Sequence, residues 1–91
     1  MTRRDVEHAE EGETPLWAYA ENPRAYDAAE RGELPAEALS SHDRRLLVRQ
    51  FVADGMTDIA IAQITRWTLY TTARIRESIG LEQNQPRRRA A

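Results

Sequence analysis

The sequence predicts an all-α fold: a small helical domain of about five short helices. Three observations carry that reading. No segment alternates apolar and polar residues with period two for long enough to make a sheet, apolar residues recur at helical spacing instead, and helix start and stop signals are frequent along the 91 residues. Taken in order, "TPLWAYAEN" offers Thr14 as an N-cap with Pro15 at the first helical position, where proline's missing N–H costs nothing. "NPRAYDAAERG" repeats the device with Asn22 and Pro23 and closes on Gly32, and "LPAEALS" reads as one further turn from Pro35. In "SSHDRRLLVRQFVADG", Ser40 and Asp43 stand three residues apart as a near capping box. Leu47, Val48, Phe51 and Val52 then follow at helical spacing, and Gly55 is placed to stop the helix in a left-handed conformation. Thr57 caps a helix from residue 58 to about 65, with Asp58 in its positive first turn, and Thr68 caps the last helix, residues 69–79, which Gly80 ends.

Length and composition bound the possibilities. Ninety-one residues make one domain. The chain has no cysteine, which removes disulfides, thiolate zinc sites and cysteine nucleophiles and fits a reducing compartment, so a cytoplasmic protein is expected. The charged start "MTRRDVEHAEEGE" has no apolar run behind it, so neither a signal peptide nor a membrane span is expected. The formal net charge of −2 conceals an asymmetry: residues 1–39 hold four arginines against ten carboxylates, and residues 40–91 hold nine arginines against five. An acidic first half joined to a basic second half predicts that the second meets an anion. All thirteen basic residues are arginine. A chain-wide preference of that kind reflects base composition and is credited to no single site.

The organisation expected is a polar, acidic N-terminus (residues 1–13), N-terminal helices (14–39), a helical unit (40–81) and a basic tail (82–91) with Arg87, Arg88 and Arg89. The last helix can be resolved by geometry. With Leu69 at 0° and about 100° per residue, Thr72, Ile75 and Ile79 fall in a narrow arc, and Tyr70, Ala73, Arg74 and Glu77 face away from it. Arg76 falls at the edge of the buried arc. An aromatic, a small residue and an arginine therefore point outward together.

The link "TRWT" between the last two helices is short, and Trp67 is placed to plug the corner between them. Residues 55–81, "GMTDIAIAQITRWTLYTTARIRESIGL", resemble the helix-turn-helix domains of small bacterial and phage DNA-binding regulators. The family pattern has Ile-Ala on the first helix, an apolar residue three positions on, then Gly, an apolar residue and Ser or Thr, and later Thr-Val and Arg-Ile-Arg before Gly-Leu. Ile61-Ala62, Trp67-Thr68, Thr71-Thr72, Arg74-Ile75-Arg76 and Gly80-Leu81 carry the match. Two positions depart: Thr65 fills the apolar slot and Arg66 the turn glycine. That glycine commonly takes a positive φ, so either the turn is built differently or Arg66 accepts a strain of about 1–3 kcal/mol.

The resemblance implies a C-terminal helix-turn-helix whose last helix enters the major groove of double-stranded DNA. It implies base contacts from Leu69, Tyr70, Ala73 and Arg74, with Arg74 donating to guanine. Thr57, Thr68, Thr71, Arg44, Arg45, Arg66 and Arg76 become phosphate contacts, and the arginine tail becomes a non-specific electrostatic arm. A homodimer would read two half-sites about one helical turn apart. Transcriptional regulation, or an accessory role in a phage or mobile element, is the function implied. The alternative from another class is a protein-interaction module that docks a polymerase subunit or another regulator through the acidic half. Leu16, Trp17, Tyr19, Tyr26, Leu34 and Leu39 supply apolar area for packing across the C-terminal helices or for a dimer interface. His8 and His42 stand alone in sequence, and no Ser-His-Asp set, Gly-rich phosphate loop or paired carboxylates can be assembled, so no metal, cofactor or catalysis is expected.

Overall fold

The structure, a computed structural model, describes residues 14–85. Four α-helices are present among them: α1 (Pro23–Glu30), α2 (Ser41–Ala53), α3 (Asp58–Thr65) and α4 (Leu69–Ser78). Two 3₁₀ turns, Leu16–Tyr19 and Ala36–Ala38, precede α1 and α2, and no described residue is in a strand. The class is therefore all-α, with four helices in place of about five. The expected first helix is the difference. Its cap position falls on Pro15, which has no side-chain hydrogen bond to offer, so Thr14 caps nothing and the segment closes after a single 3₁₀ turn. None of the helices is long and apolar enough to cross a membrane among the described residues.

The remaining starts are set by local hydrogen bonds. Asn22, Ser40, Thr57 and Thr68 each accept, through a side-chain oxygen, the N–H of the residue three positions on. The stops share one geometry as well. At the ends of α1, α2 and α4 a glycine with positive φ lets the next residue's N–H reach back to the carbonyl of Ala28, Phe51 or Arg76. At the end of α3 the same turn is made by Arg66, with φ 67° and ψ 29°. Of the two outcomes open from sequence, Arg66 takes the strain.

The core joins both halves of the chain. Tyr26, Ala29, Ala36 and Leu39 are buried in one cluster with Leu47, Phe51 and Ile61. Helix α4 packs on both α2 and α3, and α1 packs on α2 and α3. The N-terminal region thus docks on the C-terminal helices within one chain. The apolar surface of α3 divides accordingly: Ile64 joins the core beside α1, and Ile59 stays 59% exposed. Gly32 marks a close approach between the end of α1 and α3. A Cβ there would sit 3.3 Å from Cγ1 of Ile64, at a φ of +77° that L side chains rarely adopt.

Polar groups close the seams. Tyr26 is fully buried, and its hydroxyl donates to Gln50 Oε1 at 2.7 Å, while Gln50 Nε2 donates to Glu30 Oε2 at 2.7 Å. Asp43 is also fully buried and does something the near capping box did not anticipate. Its N–H bonds Ser40 as expected, but its carboxylate turns away to accept the N–H groups of Glu21 (2.8 Å) and Asn22 (3.0 Å). His42 Nδ1 lies 2.9 Å from Asp43 Oδ1. Burial alone would raise the Asp43 pKa. The bonds from Glu21, His42 and Asn22 outweigh it and hold the carboxyl below its ordinary value.

Candidate nucleic-acid interface

The outward face of α4 is built by what holds its other face down. Thr72 is fully buried and its hydroxyl donates to the Thr68 carbonyl at 2.9 Å, so a polar residue sits in the interior without an unmet group. Arg76, one turn on, is only 7% exposed. Its Nε donates to Asp58 Oδ1 at 2.9 Å and its Nη2 to Asp58 Oδ2 at 3.0 Å, a two-point fork across to the first residue of α3. Its Nη1 donates to the Leu81 carbonyl at 2.8 Å. Arg76 is thus corrected from a phosphate contact to an internal clamp between α3 and α4. The wheel placed it at the edge of the buried arc, and a buried carboxylate drew it inward.

With that side fixed, the opposite side opens. Leu69 is 53% and Tyr70 69% exposed, Arg74 is exposed, and Ala73 between them is half-buried. Arg74 Nη1 donates to the Tyr70 hydroxyl at 2.9 Å, and the guanidinium carbon lies 5.6 Å from the centre of the tyrosine ring. The four residues expected at bases therefore share one face, and three of them stand clear of the protein.

The expected phosphate contacts divide. Arg45 is exposed. Arg66 is exposed and donates from Nη2 to the Gly32 carbonyl at 3.0 Å, which ties the α3–α4 corner to the end of α1. Arg44 is largely spoken for, its Nε bonding the Leu39 carbonyl (2.9 Å) and its Nη2 the Glu37 carbonyl (2.7 Å), so its role is to close the second 3₁₀ turn. Thr57 and Thr68 cap their helices through the hydroxyl oxygen, and the Thr68 hydroxyl also lies 3.1 Å from that of Thr71. Arg87, Arg88 and Arg89 lie outside the described residues.

The corner between α3 and α4 is where sequence reasoning stopped short. Thr65, in the slot where an apolar residue was expected, is fully buried and returns its hydroxyl to the Ile61 carbonyl at 2.7 Å. Trp67 packs against the core as expected of a plug, but its Nε1 is buried with no hydrogen-bond partner among the described residues. Beside it an open groove of about 390 Å³ is lined by Ile59, Ala62, Gln63, Arg66, Trp67 and Leu69. Ile59, Ala62 and Gln63 lie on one stripe of α3 with Arg66 just past its end, a spacing visible in sequence; Ile59, Gln63 and Arg66 are exposed, Ala62 is buried, and Ile64 packs toward α1 instead.

His42 does not stand alone in space. Ligand-type atoms of Glu21, His42 and Asp43 lie within 4.8 Å of one another. The Asp43 oxygens there already receive two backbone N–H groups and face His42, so the cluster reads as a tether between α2 and the start of α1. Compared with protein-family models, with curated proteins and with solved structures, the chain gives no match.

Proposed function

We propose that the protein binds double-stranded DNA sequence-specifically, with α3 and α4 as a helix-turn-helix and α4 lying in the major groove. The observation that supports this most is the division of α4. Thr72 and Arg76 hold one side in the interior, and Leu69, Tyr70 and Arg74 project from the first two turns of the other. The N-terminal residues of a reading helix are those that meet base edges. Arg74 is free of carboxylate partners among the described residues and reads guanine, Leu69 and Ala73 pack on thymine methyls, and Arg45, Arg66, Thr57, Thr68 and Thr71 approach phosphates. The acidic residues Glu21, Asp27, Glu30, Glu33 and Glu37 belong to the described segment that docks behind these helices, and they limit indiscriminate binding to the DNA backbone. Regulation of transcription, or an accessory role in a phage or mobile element, is the setting that fits such a reader.

Selection from random duplex DNA at two salt concentrations tests the reading. Arg74→Ala is expected to relax preference at one base pair, a loss of about 1–3 kcal/mol of discrimination. Arg45→Ala is expected to weaken all sequences alike and reduce the salt slope by about 1. If both variants keep wild-type affinity, sequence preference and salt slope, α4 is not in the groove. The open apolar groove at the α3–α4 corner favours a second reading, a protein-docking module, which predicts no enrichment of any DNA sequence.

A further inference from the structure

The resemblance implies a base contact from Tyr70 without fixing its kind. The geometry of the side chain specifies one. Tyr70 and Arg74 stand one helical turn apart on the exposed face of α4, and Arg74 Nη1 donates to the Tyr70 oxygen at 2.9 Å with the guanidinium 5.6 Å from the ring centre. No carboxylate competes for Arg74 among the described residues. Glu77 shares the face, but its ion contact is with Nη2 of Arg76, at 3.9 Å. An exposed arginine normally samples many rotamers, and here the ring and hydroxyl favour one.

Two chemical consequences follow from the direction of that bond. Arg74 spends one N–H of its five, so the guanidinium keeps enough donors for a two-point contact to guanine O6 and N7. Tyr70, having accepted, holds an O–H that must point elsewhere, and it is a donor. The two tips are 2.9 Å apart, close to the spacing of about 3.4 Å between stacked base pairs. A donor at that position finds an acceptor on guanine, adenine or thymine in the major groove, while cytosine presents only its amino group, which is itself a donor.

We infer that Tyr70 and Arg74 act as one reading unit for a two-base step: guanine under Arg74, and beside it, on the strand that the Tyr70 hydroxyl faces, any base except cytosine. The inference rests on the DNA-binding reading of α4 and adds to it a residue that sets specificity. Tyr70→Phe is the discriminating variant, because it keeps the ring under the guanidinium and removes only the hydroxyl. Its side chain is 69% exposed, so folding is not at stake, and a far-ultraviolet circular dichroism melt checks that.

The full chain and the Tyr70→Phe variant are each put through selection on random duplex DNA, followed by competition between sites differing at the two positions. The wild type is expected to enrich guanine next to a position depleted of cytosine. In Tyr70→Phe the cytosine depletion is expected to vanish and the guanine preference to fall about threefold to tenfold, the usual worth of one hydrogen bond, with the salt slope unchanged. Guanine enriched by the wild type with no such neighbour, or depletion that survives in Tyr70→Phe, overturns the two-base unit and leaves DNA binding standing. A wild type that enriches no sequence overturns the DNA reading, and the unit falls with it.

Discussion

Two seams hold this chain together, and they are made differently. Between α1 and α2 the contact is a large buried ring, Tyr26, and neutral or backbone donors: its hydroxyl to Gln50, and two N–H groups to the Asp43 carboxylate. Between α3 and α4 the apolar stripe is thin, two of its inward residues are Thr65 and Thr72, and the join is made by the Asp58–Arg76 fork. The first seam fixes position by the fit of one buried ring and the hydrogen bonds around it. The second fixes it by direction, since a bidentate pair sets both distance and orientation of α4 against α3. A helix with one side to present outward is well served by the second arrangement.

The largest effect expected from breaking that contrast is removal of residues 1–39. It takes Tyr26, Ala29, Ala36 and Leu39 out of the core, and a remnant of about 50 residues lies where folding alone is marginal. The truncated chain is expected to lose its cooperative thermal transition by circular dichroism; an unchanged Tm would show that the first seam holds nothing. Next is Arg76→Ala, which strands the Asp58 carboxylate in the interior and is expected to cost about 3–5 kcal/mol in urea unfolding. Arg31→Ala, which breaks an exposed pair with Asp27, is the control at no more than about 1 kcal/mol. Equal losses in the two would mean that the α3–α4 seam is not held by its ion pair.

Smaller effects sharpen the first seam. Tyr26→Phe removes the donor to Gln50 and keeps the ring, for an expected loss of about 1–2 kcal/mol measured by chemical denaturation. Asp43 connects the seam to pH. Its folded pKa lies below the unfolded value, so its contribution is present in full above the ordinary carboxyl range and is lost as pH falls through the folded pKa. Tm is therefore expected to fall on acidification below about pH 4, the ordinary aspartate range, and the fall should be shallower in Asp43→Asn. The smallest effect belongs to the corner. Arg66→Gly relieves the left-handed strain and loses the bond to the Gly32 carbonyl, a net change within about 1 kcal/mol. Arg66→Ala keeps the strain and loses the bond, and should be the less stable of the two by about 1 kcal/mol.

What could be read from sequence followed the range of the interactions. The caps at Asn22, Ser40, Thr57 and Thr68 act over three residues, and each start was legible from the residue alone. The glycine stops are equally local. Failures came where a partner lay far along the chain: Asp58 and Arg76 are 18 residues apart, and Asp43 reaches back 22 residues to the Glu21 N–H. An arginine at the edge of a wheel looks the same whether its partner is a phosphate or a carboxylate from the neighbouring helix. Thr14 failed for a local reason, since the proline after it took the cap position. On the outward face, the wheel alone was enough to group Tyr70 with Arg74, but not to show that one grips the other.

Gly32 carries a consequence for anyone who would graft these helices into another scaffold. Its bare Cα lies under Ile64 and its carbonyl takes the Arg66 guanidinium, so α1 keys into the back of the α3–α4 corner at a residue with no side chain to trim. Lifting residues 40–81 out as a portable cassette would leave Arg66 in its left-handed turn without that support, and a naked isoleucine where the glycine had been. The helices that face outward travel only with the segment behind them.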